Sequence, residues 1–127
     1  MKYIVESEKS VQQASIDLQA AVTNNKFGIL HTHDLQATLN KKGFAFKNAC
    51  KVFEVCNPKI ANDVLTSEMD LNMLLPCRIS IWEENNQTKI GMVEPTALLA
   101  LLSNSSEITN IASEVNEIMK KIINEAS

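Results

Sequence analysis

Two cysteines stand where a strand meets another element, and that placement decides what their thiols can do. Cys56 immediately precedes Asn57-Pro58, a capping residue followed by proline at the first helical position. A sulfur turned toward that helix start would lie in the positive end of the helix dipole, which favours thiolate. Cys77 follows Pro76 at the head of an alternating run. If the two sulfurs converge on one pocket they support ligand binding, thiol-dependent redox or sulfur-carrier chemistry, or metal or haem ligation. The plainer alternative is that both are small buried apolar residues, as most free cysteines are. Arg78, the only arginine, could hold an anion through two parallel hydrogen bonds at the rim of such a pocket. An arginine on a sheet surface is the simpler reading.

His31 and His33 are two residues apart on a stretch that reads as a strand, so both project from one face and could supply two metal ligands. A third donor is needed, and the sequence does not say whether Cys50, Cys56 or Cys77 approaches. Trp82 could belong to a partner surface or pack within a hairpin. No serine sits in a Gly-x-Ser-x-Gly elbow, and three glycines leave no phosphate-cradling loop. The sequence specifies no cofactor, so any cofactor stays unknown.

The chain has 127 residues, 45% hydrophobic and 21% charged, a balance that predicts one domain over residues 1–127 with its own core. Twelve basic against fifteen acidic side chains give a net charge of -3, the opposite of a nucleic-acid footprint. No apolar run reaches the roughly 18 to 20 residues that span a bilayer, and the N-terminus becomes charged too early for a signal-peptide core. The expectation is a cytoplasmic protein with no nucleic-acid or membrane partner. Three cysteines, an odd number in a chain of this size, read as free thiols.

The elements that must position these residues follow from periodicity. Tyr3 to Val5 reads as a strand. Ser10 with Gln13 forms a capping box before a helix carrying Val11, Ala14, Leu18, Ala21 and Val22 on one face. Phe27 to His33 alternates as a strand with Phe27, Ile29, His31 and His33 on one side. Asp34 caps a short helix that Gly43 stops. Phe44 to Cys56 reads as one long strand, with Lys51, Phe53 and Val55 opposite Cys50, Val52, Glu54 and Cys56.

Pro58 then opens a helix with Ile60, Ala61, Val64 and Leu65 as its stripe. Pro76 opens a strand in which Cys77, Ile79 and Ile81 alternate with Arg78, Ser80 and Trp82, and Lys89 to Val93 returns as a hairpin. Glu94-Pro95 starts a helix. Asn104 with Glu107 caps the last and most periodic one, from Ile108 through Ile123. The result is an α+β fold: a mainly antiparallel sheet with helices packed on one face and a long C-terminal amphipathic helix.

Three separated strings, Val55-Cys56-Asn57-Pro58-Lys59-Ile60-Ala61, Leu74-Leu75-Pro76-Cys77-Arg78-Ile79 and Val93-Glu94-Pro95, together resemble the domain of unknown function 302 family. The likeness extends to Phe27-Gly28-Ile29 and the long final helix, and so to nearly the whole chain. It implies a small α+β protein, commonly a homodimer, with no established activity, and it makes Cys56 and Cys77 the motif cysteines. The chain departs from the family at Glu94, where aspartate usually precedes the proline. A longer carboxylate should cap a helix less well. The expected protein is a small dimeric binding or accessory protein with a ligand site at Cys56, Cys77 and Arg78. A thiol-dependent redox or sulfur carrier using Cys56 and Cys77 is the alternative.

Overall fold

A computed structural model describes residues 1–127. Five strands and five helices follow one another as β1 (Lys2–Ser7), α1 (Val11–Asn24), β2 (Gly28–Asp34), α2 (Leu35–Lys41), β3 (Cys50–Cys56), α3 (Pro58–Ser67), β4 (Cys77–Glu84), β5 (Gln87–Val93), α4 (Pro95–Ala100) and α5 (Ser106–Ala126). A 3-10 helix over Met69–Leu74 joins α3 to β4. The sheet order is β1-β5-β4-β3-β2, and every neighbouring pair is antiparallel.

Local chemistry sets most of the boundaries. The Ser10 hydroxyl accepts from the Gln13 amide at 3.0 Å, the Asp34 carboxylate from Ala37 at 2.9 Å and the Asn57 side chain from Ile60 at 3.2 Å. Each satisfies a donor that a helix start leaves free, worth about 1 kcal/mol per cap. Gly43 follows α2 with φ +96°, a left-handed conformation that costs glycine nothing. Asn85 and Asn86 adopt φ +54° and +61°, the two positive values that a tight hairpin between right-twisted strands requires.

Three sequence expectations are corrected, and one element is added. Phe44 to Asn48 is not strand: Phe46 donates its amide to the Asn40 side chain at 2.8 Å and Lys47 accepts from the Gln36 side chain at 3.0 Å. The backbone there is bound to α2 and leaves only Cys50–Cys56 as β3. In β2 the register slips between Ile29 and His31. Ile29 therefore packs on the core, while His31 and His33 turn to the other face instead of sharing its side. The last helix is capped by Ser105, which accepts from Ile108, and not by Asn104. The turn over Met69–Leu74 had no periodic signal; its buried Leu71 holds it against α3 and α4.

One face of the sheet packs on helices. Phe53 and Val55 of β3, Ile79 and Ile81 of β4 and Ile90 of β5 meet Leu18 and Val22 of α1 and Met119, Ile122 and Ile123 of α5. A smaller core joins Val64, Leu71, Leu99, Ile108 and Ala112. Most of the apolar stripe of α5 is thereby buried inside the chain, with Ile111 and Ile118 half-buried. The opposite sheet face is marked by Gly91, where an added Cβ would come 2.9 Å from Ile4 and 3.2 Å from Trp82. Ile4 and Val93 are exposed there.

Candidate functional site

The sheet forks at one end, and the candidate site lies in the fork. The β4–β5 ladder ends at Ser80 opposite Gly91. Beyond it β4 stays paired to β3 as far as Cys77 opposite Val55, and β5 stays paired to β1 as far as Val93 opposite Lys2. The ends of β4 and β5 thus belong to separate halves of the sheet. Chain on either side of the fork, including α3, the 3-10 helix and Pro95 of α4, completes two adjacent cavities.

The first cavity has a volume of about 290 Å³, close to the lower bound of about 300 Å³ for small-molecule sites. Cys56 and Cys77 both line it, together with Phe27, Val55, Ile60, Val64, Leu75 and Leu99. Asn57 and Asn72 are its only polar side chains apart from the thiols, and no charged residue reaches it. Both amides are engaged within the fold. Asn57 accepts from Ile60 and donates to the Lys26 carbonyl at 3.2 Å, and Asn72 donates to the Met69 carbonyl at 2.7 Å. An occupant finds an apolar wall with two thiols in it.

The thiols are not activated. Burial pushes Cys56 up, and it pushes Cys77 up to about 11, with the nearby Cys56 adding to that rise. Cys50 is raised by burial and by the Asp34 carboxylate. Asn57 caps the α3 start beside Cys56 through the Ile60 amide, and burial acts on the Cys56 thiol against the direction a helix dipole favours.

Arg78 does not line the first cavity. It lines the second, of about 350 Å³, with Met73, Ser80, Met92, Leu98 and Met119. The two cavities share Leu75, Pro76, Cys77 and Pro95, so Cys77 stands between the apolar space and the arginine. Glu54 is the cross-strand neighbour of Arg78, but its carboxylate lies 3.4 Å from His33 Nε2 instead. No carboxylate comes within ion-pair distance of Arg78.

His31 and His33 remain together, ring centroids 4.5 Å apart and edge to face, with Glu54 as their acidic neighbour. No group of three or more His, Cys, Asp or Glu side chains is arranged to hold a metal ion.

Asn116 and Glu94 form a polar knot that sequence reasoning missed. Glu94 does not cap α4 with its side chain. It accepts from Asn116 Nδ2 at 2.9 Å and lies 3.5 Å from Lys120. Asn116, buried on α5, takes over the cap by accepting from the Thr96 amide at 3.4 Å and hydroxyl at 3.2 Å. The extra methylene of glutamate is used to reach α5. The only sequence signal was a polar residue within the α5 stripe.

The antiparallel α+β sheet thus forks around an apolar, thiol-bearing cavity. The family model "Domain of unknown function DUF302" matches residues 3–126, and the chain belongs to that family. It is similar to the crystal structure of an uncharacterized conserved DUF302 protein from Bacillus stearothermophilus, at 27% identity and a TM-score of 0.94 over 99% of this chain and 98% of that one. No curated protein matches.

Proposed function

We propose that this protein is a cytoplasmic, dimeric binding or accessory protein without catalytic turnover, and that its ligand is a small molecule with an apolar body held in the cavity beside Cys56 and Cys77. The observation that carries this is the wall itself. Its two asparagine side chains already bond within the fold, so the main favourable term left for an occupant is burial of apolar surface, about 25 cal/mol per Å². Thiols held neutral at physiological pH suit a polarizable wall better than nucleophilic attack, which places binding ahead of redox or sulfur transfer. Three free cysteines agree with a reducing compartment.

The dimer reading rests on the open face of the sheet. On β1, Lys2 and Glu6 alternate with Ile4, so an apolar centre is flanked by opposite charges. A two-fold contact made by one such patch on each copy is self-complementary.

The ligand reading is tested with N-phenylnaphthylamine, a neutral apolar probe that brightens when it leaves water. Ala61 is half-buried on α3 and lines the cavity. The protein should enhance the probe's emission saturably, and Ala61→Phe should remove most of that enhancement while the melting temperature stays within a few degrees. No enhancement by the native protein, or undiminished enhancement by a folded Ala61→Phe protein, would overturn the reading.

A further inference from the structure

Resting on that binding reading, we infer that the ligand is a free monocarboxylic acid whose apolar chain lies in the thiol-lined cavity and whose carboxylate is held by Arg78 at the fork. The cavities share Leu75, Pro76, Cys77 and Pro95 as a common wall, so a ligand that crosses it past Cys77 would bring its charged end to Arg78. Arg78 is the one charged residue lining the second cavity.

Its guanidinium carries no ion pair, because the acid opposite it across the ladder, Glu54, serves His33 at 3.4 Å. An unpaired guanidinium beside an apolar wall matches a carboxylate in charge and in planar two-donor geometry. One cation and no further basic group in either cavity suits one negative charge better than the several charges of a phosphorylated ligand. The fork supplies the route: with β4 and β5 unpaired beyond Ser80 and Gly91, Met92 and Met119 from the core line the same space as Arg78 from the opposite face.

Calorimetric titration with decanoate, decanol and decylamine separates this inference from the reading beneath it. Decanoate should bind about tenfold more tightly than decanol, as a partly exposed charge-assisted hydrogen bond implies, and decylamine should bind more weakly than either. Arg78→Gln should remove the preference for decanoate while leaving decanol unchanged, and Arg78→Lys should keep only part of it. Equal binding of decanoate and decanol, or an undiminished preference in Arg78→Gln, would overturn the carboxylate assignment and leave the apolar cavity standing. Failure of all three probes would overturn both.

Discussion

At the residue scale, the carboxylate of Glu94 shows how one side chain joins three parts of the chain. Donation from Asn116 holds its carboxyl below the ordinary range, with Lys120 adding to the effect. An acid whose folded value is depressed binds more protons when unfolded, so its stabilisation is present above the unfolded value and lost as pH falls through the folded one. Glu94→Gln keeps an acceptor for Asn116 but loses the charge. The urea midpoint of the native protein should exceed that of Glu94→Gln at pH 7, and the gap should close as pH falls below the carboxylate range. A gap that widens toward acid would contradict this account. None of it was legible from Glu94-Pro95, because a residue pair states a cap and cannot name a partner twenty-two positions away. For Cys56 the helix start was visible in sequence, whereas the burial that raises its thiol was not.

At the scale of elements, alternation and capping made most of the fold readable. Cys77, Ile79 and Ile81 do face the core while Arg78, Ser80 and Trp82 face away, because the unbroken pairing with β3 leaves β4 no freedom to change phase. Where a strand could slip, reading failed. β2 is an edge strand with a register shift, which separates Ile29 from the histidines. The fork was equally hidden, since ladder length depends on the neighbour and not on the strand's own pattern. Gly91 is the element-scale device that lets β1 and β4 close over β5. Gly91→Ala would place its Cβ 2.9 Å from Ile4 and 3.1 Å from the Tyr3 carbonyl oxygen. The backbone oxygen cannot swing aside, so a loss of about 1–3 kcal/mol is expected in chemical denaturation. An unchanged midpoint would show that the two strands shift freely.

At the scale of the whole molecule, burial of most of the α5 stripe within one chain makes the open sheet face the surface for the proposed dimer. Light scattering at micromolar concentration should give about twice the 14.1 kDa chain mass. Ile4→Glu, which sets a charge in the middle of that face, should return it to one chain mass with the fold intact. A native protein that is strictly monomeric would remove the dimer. Composition already limited the class to a folded chain without a membrane helix, and no helix here is long and apolar enough to cross a membrane. Neither composition nor periodicity could show that Cys56 and Cys77, twenty-one residues apart, end on one wall, since convergence is a property of the β3–β4 pairing.

The central claim is that the apolar cavity at the fork is where this protein holds its ligand. Methyl NMR on the native protein during titration with decanol addresses it most directly, because Val55, Ile60, Leu99 and Val115 line that cavity while Ile4 reports on the open sheet face. Saturable shifts at the first four, with Ile4 unmoved, are expected. Shifts confined to Ile4, or none at any of the five, would contradict it.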